Sequence, residues 1–222
     1  MFRLCVIGIL CGGSLLAAGD LSSYRGLHFG MTLATAAEQS GARLPEARVL
    51  HQKPALIQEI DWRPRAPITS DPLKVDPVKE GVLSFYNGEL FRIVVTYDRY
   101  RIEGMTAEDV IQGISATYGT PAKPTVEIPF RSNYGETAAV LARWEDPEYS
   151  YDLVRTGDRA SYSLVLYSKR LEAMAQAAIV EAVRIEAQEA PQREIDRQKQ
   201  RAADENQLLE KARSTNKPNF QP

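Results

Sequence analysis

Few residues of this chain have the type and spacing that catalysis or metal binding requires. The two histidines are His28 and His51, and neither has a nucleophile and an orienting acid near it in the sequence. No two histidines stand four residues apart, as zinc-binding helices require, and no glycine-rich phosphate loop is present. Asp146 and Glu148 flank a proline in a predicted turn, where we expect solvated carboxylates rather than a paired acid and base. The sequence therefore predicts no catalytic residues, no metal ligands and no cofactor.

One cluster combines charged and aromatic side chains directly after a predicted strand. It consists of Asp98, Arg99, Tyr100 and Arg101. Tyrosine and arginine are residue types that anchor protein–protein interfaces. The alternative is a polar connection between a strand and a helix. We predict that this cluster is a contact surface for a partner protein.

The first 19 residues have the features of a secretory signal peptide. Arg3 supplies the positive charge, residues 4–16 are apolar, and small residues lead to a predicted cleavage between Gly19 and Asp20. An apolar run of about 13 residues is too short to cross a hydrocarbon core, which needs about 20. The sequence therefore predicts a periplasmic or secreted protein without a membrane span.

Both cysteines, Cys5 and Cys11, lie within this leader, so the mature chain can form no disulfide. Cys11 raises the alternative of a lipoprotein, but the preceding Leu10 is larger than the residue that usually stands there. Removal of the leader takes away one of the 27 basic residues and none of the 29 acidic ones, which leaves a net charge of −3. This charge predicts no general attraction to nucleic acid or anionic membranes.

Two Gly-Met-Thr stretches, residues 30–32 and 104–106, each open a predicted helix. In the second, Thr106 is a good N-cap, and Met105 and Val110 occupy the two positions of a hydrophobic staple. That helix ends before Gly119, whereas the first helix, residues 33–39, is shorter.

The strongest strand signal is a hairpin of residues 82–86 and 89–97 around Asn87-Gly88. A two-residue turn pairs Tyr86 with Glu89, whereas a three-residue turn with Gly88 as a bulge pairs Phe85 with Glu89. Only the second register places all the large apolar side chains on one face, so we predict the bulge at Gly88.

The remaining patterns give the domain organisation. Residues 20–103 form a first repeat, with a strand ending near Trp62 and a Pro-rich loop at 63–80. A second repeat, residues 104–168, has strands at 138–145, 149–155 and 160–168, with Trp144 as the counterpart of Trp62. We predict an α+β fold in which two tandem helix-plus-antiparallel-strand repeats form a sheet with helices on one face.

A different composition begins at residue 169. Apolar residues at helical spacing, from Leu171 to Ile185, indicate a helix that could dock on the domain. We expect Pro191 to break or kink it. Residues 192–213 are densely charged and are either a solvated, frayed helix or a partner-binding arm. We predict a charged C-terminal helix at 169–213 and a disordered tail at 214–222.

The second helix start carries a resemblance to known proteins. Gly104-Met105-Thr106-x-x-x-Val110, followed by Tyr118-Gly119-Thr120-Pro121, resembles the signature of small outer-membrane assembly lipoproteins of the SmpA/OmlA type. The tandem form, with motifs 74 residues apart, is similar to the β-lactamase-inhibitor-protein architecture. Both resemblances imply non-catalytic protein binding in the envelope or outside the cell.

The leading hypothesis is an exported, non-catalytic protein-binding or envelope-assembly module. It would bind another envelope or extracellular protein, but no nucleic acid, through its sheet or the loops around it. One alternative is an enzyme that uses loop carboxylates, and another is a scaffold whose charged C-terminal helix binds the partner.

Overall fold

The computed structural model describes residues 19–64, 76–129, 137–156 and 161–219. The signal peptide, most of the Pro-rich loop and the predicted turn at 156–159 lie largely outside these residues. The first elements are β1 (Ser23–Tyr24), β2 (Leu27–His28), α1 (Leu33–Ser40), β3 (Arg48–His51), β4 (Ile57–Trp62), β5 (Val78–Tyr86) and β6 (Glu89–Tyr97). The others are α2 (Ala107–Tyr118), β7 (Glu127–Pro129), β8 (Thr137–Glu145), β9 (Tyr149–Thr156), β10 (Ser161–Ser168) and α3 (Lys169–Asn216).

The fold is α+β, as predicted, with a large antiparallel sheet and a long C-terminal helix. Eight strands follow the order β3-β4-β5-β6-β10-β9-β8-β7, and β1 and β2 form a separate small hairpin. The central pair, β6 and β10, is antiparallel, with Leu164 opposite Val95 and Leu166 opposite Ile93. The predicted strands at the two tryptophans are also present, as β4 and β8.

The predicted register of the β5–β6 hairpin is wrong. Tyr86 pairs with Glu89 across a two-residue turn, and Asn87 and Gly88 both have positive φ, of 49° and 86°. These are the angles of a type I′ turn, which matches the twist of the two strands. The irregularity lies one step further on, where Phe85 pairs with Leu90 and Ser84 with Arg92. Phe91 is therefore the extra residue, and it packs in a different cluster from Phe85.

Helices α1 and α2 contribute to one core cluster with the apolar residues of the central strands. Ala36 and Ala37 of α1 and Val110 of α2 are buried in it, together with Ile93 and Leu164. Both tryptophans are buried in the same cluster. Leu21, Tyr24 and Leu27, in and beside the β1–β2 hairpin, extend the cluster.

The opposite face of the sheet is partly covered by the sheet's own end. Four strand spacings separate β7 from β6, about 19 Å in a flat sheet. Nevertheless, the Pro129 carbonyl accepts a hydrogen bond from Nη1 of Arg92 on β6, at 2.8 Å. Ile128 shares a cluster with Val94 of β6. The sheet therefore curls over this face, and a register shift after Val140 in β8 marks an irregularity that favours such bending.

The start of α3 packs beside this curl. Leu171, Ala175 and Ile179 form a cluster with Ile57 and Phe91, on the face opposite the α1–α2 core. Ile57 faces that side because side chains alternate along β4, where Ile60 and Trp62 face the core. Phe91 faces it because it is the extra residue of β6. All the buried residues of α3 lie in its first quarter or just after it, between residues 171 and 182. The remainder of the helix extends away, since residues 187–219 are almost all exposed.

Two expectations for the C-terminal segment are corrected. Helix α3 runs from Lys169 to Asn216 with Pro191 inside it, so the proline does not break the helix. The Arg193 guanidinium donates to the Glu186 carbonyl at 2.7 Å, close to the carbonyl that the proline leaves without a partner. Residues 214–216 belong to the helix and 217–219 to a 3₁₀ turn, rather than to a disordered tail. The hydroxyls of Ser214 and Thr215 donate to the Lys211 carbonyl and extend the helical turn.

Candidate functional site

An open groove runs along α2, between that helix, the β1–β2 hairpin and the end of β6. Its volume is about 470 Å³, within the range of about 300–1,000 Å³ typical of ligand sites. We call it the α2 groove. Its walls carry aromatic and apolar side chains, among them Tyr24, Tyr97, Tyr118, Ile102, Met105 and Ile114.

The helix that forms one wall is fixed at its start by its own sequence. Thr106 Oγ1 accepts the Asp109 N–H at 3.2 Å, and an Asp109 carboxylate oxygen accepts the Thr106 N–H at 2.8 Å. This reciprocal capping box supplies partners for two backbone donors. The predicted N-cap at Thr106 is thus confirmed, and Thr32 likewise caps α1 by accepting the Thr35 N–H.

The end of α2 is fixed by aromatic residues from other parts of the chain. The Trp144 indole N–H donates to the Gly119 carbonyl at 2.8 Å. Tyr118 packs edge-on against Tyr151, with 4.9 Å between ring centroids. The Tyr151 hydroxyl donates to the Ser23 carbonyl at 2.7 Å, which ties the β1–β2 hairpin to β9. These contacts hold two walls of the groove in place.

The predicted contact cluster lies at one side of the groove, and the structure divides its roles. Arg101 lines the groove. Tyr100 is 67% exposed, and the Arg99 guanidinium carbon lies 4.4 Å from its ring centroid. Asp98 holds the turn itself, because its carboxylate accepts the Tyr100 N–H at 2.8 Å. Of the four predicted residues, Arg101 therefore lies in the groove wall, while Arg99 and Tyr100 are exposed beside it.

The groove contains neutral hydroxyls and positive charge. Burial raises the pKa of Tyr24 to about 12 and also raises the pKa of Tyr97 and of Tyr118. These phenols are therefore un-ionised at neutral pH, and they are poor candidates for a general base. Among the described residues, Arg25 and Arg101 are the charged ones that line the groove. Arg25 pairs with Asp76 through a bond of 3.0 Å between Nη2 and Oδ1. Burial opposes ionisation of Asp76, but hydrogen bonds from Arg25 and the Val78 N–H hold its pKa below the ordinary value.

Gly113 is a feature of this wall that the fold does not explain. It lies in the interior of α2 and lines the groove. A Cβ added there would meet nothing within 4 Å. Glycine in a helix interior costs about 1 kcal/mol relative to alanine. Packing thus gives no reason for a glycine at this position.

The two histidines lie in different environments. His28 is exposed. His51 is buried at the edge strand, and its Nδ1 lies 2.9 Å from Oε1 of Glu186 on α3. It therefore joins α3 to β3.

The acidic residues considered from the sequence act in turns. Asp146 Oδ1 accepts the N–H groups of Glu148 and Tyr149, at 2.7 and 2.6 Å. At the predicted cleavage site, Asp20 is exposed and accepts the Ser22 N–H at 2.8 Å. Gly19 lies against the end of α2, where an added Cβ would be 2.5 Å from the Thr117 carbonyl oxygen.

Two buried carboxylates, which the sequence analysis did not identify, pair with arginines. Asp152 is fully buried and forms two hydrogen bonds with Arg143, at 2.6 and 2.9 Å, while the Tyr167 hydroxyl donates to it at 2.9 Å. Glu172 of α3 receives two bonds from Arg92, one of them at 3.0 Å. Within the part of the chain that the structure describes, no group of three or more histidine, cysteine or acidic residues could hold a metal ion.

Comparisons with protein-family models, with curated proteins and with solved structures find no match in any of the three. Among the described helices, none combines the length and the apolar character that a membrane span requires.

Proposed function

We propose that this protein is an exported, non-catalytic module that binds another envelope or extracellular protein. The observation that carries the proposal is the α2 groove, an open surface of tyrosine and apolar side chains with arginines beside it. Tyrosine and arginine dominate the binding energy of many interfaces. The un-ionised phenols suit hydrogen bonding and packing better than proton transfer.

We also propose that the domain is a tandem duplication. Gly30 and Gly104 both have positive φ, and the threonines two residues later both cap helices. Helix α1 precedes β3, β4, β5 and β6 in the chain, and α2 precedes β7, β8, β9 and β10. In the sheet order β3-β4-β5-β6-β10-β9-β8-β7, each set of four runs from an edge to the centre, where the last strands of the two sets, β6 and β10, are neighbours. This arrangement supports the resemblance to tandem binding proteins and to small outer-membrane assembly lipoproteins.

The export proposal rests on residues 1–19 and is tested on the protein purified from cells. N-terminal sequencing is expected to start at Asp20. A chain that keeps Met1, or one that starts at a lipid-modified Cys11, would contradict the predicted cleavage.

Partner binding is tested with the tagged mature protein in an envelope extract, with and without cross-linking. A defined protein recovered at constant stoichiometry is the expected result. Recovery of none under either condition would refute the proposed function.

A second candidate places the contact on α3. Its segment 187–216 spans about 45 Å and carries the exposed side chains Ile195, Leu208 and Leu209. Deletion of residues 192–222 separates the two candidates. It removes most of the exposed part of α3, while the buried residues of that helix, which lie between 171 and 182, are kept. Partner recovery should persist if the globular part binds and should be lost if the arm binds.

A further inference from the structure

We propose that a pocket at the start of α3 binds a free amino acid with an apolar side chain. The carboxylate of the ligand lies at the N-terminal end of the helix, and its ammonium lies at Glu148. The pocket is separate from the α2 groove, so this site is a further function beside the proposed protein contact and can fail without it.

The pocket lies where the turn between β8 and β9 meets the first turn of α3. Its volume is about 280 Å³, below the range of about 300–1,000 Å³ typical of drug-sized ligands. It therefore suits a small molecule better than a peptide segment. Its walls include Phe29, Glu148, Tyr149, Ser168, Arg170 and Leu171.

The N-terminal end of α3 lacks the cap that its own sequence could supply. Ser168 is the N-cap residue and is of a preferred type, but its hydroxyl accepts no hydrogen bond from the first turn. The Lys169 N–H donates to the Glu148 carbonyl at 2.8 Å. The next two N–H groups, those of Arg170 and Leu171, are too close to the helix start to have an acceptor within the helix. This positive end of a long helix is therefore suited to an anionic group in the pocket.

The Ser168 hydroxyl independently points to a ligand. The residue is only 7% exposed, and within the part of the chain that the structure describes its hydroxyl has no hydrogen-bond partner. This oxygen is not one of the polar atoms that the protein encloses, so it opens on the pocket that Ser168 lines. A largely buried hydroxyl without a partner is unfavourable, and a bound carboxylate would accept its hydrogen bond.

Two side chains of opposite charge in the pocket wall have no ion-pair partner among the described residues. The Arg170 guanidinium contacts Met174, with 3.7 Å between Nη1 and Sδ. Glu148 is exposed and likewise unpaired, whereas Lys169 is already paired with Glu145 at 2.6 Å. A simple anion would meet Glu148 as a like charge. A zwitterion matches both sides, because its carboxylate pairs with Arg170 and the helix end while its ammonium pairs with Glu148.

The remaining wall of the pocket is aromatic and apolar. Phe29 and Tyr149 stack with 5.4 Å between their ring centroids, and Leu171 is buried. Burial raises the pKa of the Tyr149 phenol, and the charges of Glu148 and Asp146 raise it further, so the phenol is neutral at physiological pH. These side chains would cover an apolar group next to the charged centre of the ligand. The walls thus fit an amino acid with an apolar side chain.

The test titrates the mature chain with L-leucine in an isothermal titration calorimeter. Two controls remove one charge each, since leucinamide lacks the carboxylate and N-acetyl-leucine lacks the ammonium. We expect leucine to bind with one-to-one stoichiometry and each control to bind at least fivefold more weakly. Absence of leucine binding at millimolar concentration would overturn the inference. A control that binds within fivefold of leucine would also overturn it.

Matched variants locate the binding. Ser168→Ala should weaken leucine binding at least fivefold without lowering the thermal midpoint, because the hydroxyl forms no hydrogen bond in the folded chain. Arg170→Gln, at an exposed position, should weaken binding by a similar factor and keeps the test decisive if the buried substitution does not fold. The controls Ser214→Ala and Arg197→Gln lie far along α3 and should bind normally. A loss below twofold for Arg170→Gln would refute the inference.

A third variant tests the ammonium contact. Glu148→Gln should weaken leucine binding to the level of N-acetyl-leucine, whose own binding should not fall. If Glu148→Gln still prefers leucine over N-acetyl-leucine by fivefold or more, the ammonium does not lie at Glu148 and the zwitterion assignment is wrong.

Discussion

The ion pair between Arg92 and Glu172 should be the most sensitive single contact between α3 and the sheet. The Arg92 side chain is 1% exposed and that of Glu172 is 11% exposed. Each nitrogen of the guanidinium has an acceptor, because Nη1 binds the Pro129 carbonyl while Nε and Nη2 bind Glu172. Arg92 thus connects β6, the curled end of the sheet and α3.

Removal of one partner leaves the other charge buried. Arg92→Met would leave Glu172 with the Gln176 amide as a donor, at 2.9 Å, and would take away the donor to the Pro129 carbonyl. Breaking a buried ion pair in this way costs about 3–5 kcal/mol. The whole domain is expected to be stable by about 5–15 kcal/mol, so this single change should lower the urea midpoint strongly.

A double-mutant cycle distinguishes the ion pair from simple loss of packing. Glu172→Met should destabilise the protein by a similar amount, whereas the double variant should be more stable than either single one. The reason is that replacing both charges with apolar groups removes the uncompensated burial. Urea unfolding of the four proteins, followed by circular dichroism, measures the free energies. The matched control is the exposed pair Arg197–Glu194, where Arg197→Met should cost less than about 0.5 kcal/mol.

Two outcomes would refute this reasoning. A loss below about 1 kcal/mol for Arg92→Met would mean that the pair is solvated rather than buried. Additive effects in the cycle would mean that Arg92 and Glu172 do not interact. The first result would also contradict the burial of Arg92 against the Pro129 carbonyl.

Three further predictions concern the helix starts and the core. Thr106→Ala should lower the free energy of unfolding, measured in urea, by about 1 kcal/mol. Thr32→Ala should lower it less, because α1 is shorter and lacks the reciprocal bond that Asp109 provides in α2. Equal losses would contradict the prediction that the second helix start contributes more to stability than the first. Hydrogen bonds from the Thr106 N–H and hydroxyl hold the pKa of the Asp109 carboxyl below its ordinary value of 3.8. The stabilisation of the fold by the ionised carboxylate is therefore complete above the unfolded-state pKa and is lost as pH falls through the folded-state pKa. The difference in unfolding free energy between wild type and Asp109→Ala should shrink in acid, and a difference that stays constant down to pH 2 would refute this. Gly81→Ala should destabilise by about 1–3 kcal/mol, because its Cβ would lie 2.6 Å from the Trp62 ring; an unchanged thermal midpoint would show that the ring moves freely.

The sequence predicted those elements whose signals are local. Helix α2 was predicted because its cap, dipole charges and terminal glycine lie within a few residues of one another. The hairpin was predicted from Asn87-Gly88, but its register was not. The two-residue turn favoured pairing Tyr86 with Glu89, whereas the apolar pattern favoured a bulge at Gly88. The structure has the two-residue type I′ turn, and the extra residue at Phe91 keeps Leu83 and Ile93 on the same face of the hairpin.

The groove and the curl depend on contacts between distant parts of the chain. Tyr24, Tyr97 and Tyr118 stand far apart in sequence, and only the folded sheet brings them together. A local signal was nevertheless present, because Gly113 interrupts an otherwise strong helix pattern. Arg92 within an apolar strand similarly indicated a buried partner, but the identity of Glu172 required the structure.

The distribution of exposed apolar side chains bears on whether the proposed contact lies on the sheet or elsewhere. Among the described residues, the large exposed ones lie on the edge strand β3, in loops, before α2 and on α3, and none lies on β4, β5, β6, β8, β9 or β10. The α1–α2 core covers one face of these strands. The curl of β7 and the start of α3 cover apolar parts of the other. An interface needs a desolvated apolar centre, and among the described residues these six strands offer no large exposed apolar side chain for one. The sheet is therefore the weaker choice for the proposed contact, and the α2 groove, where Met105 is 39% exposed, and the arm of α3 remain the two candidates.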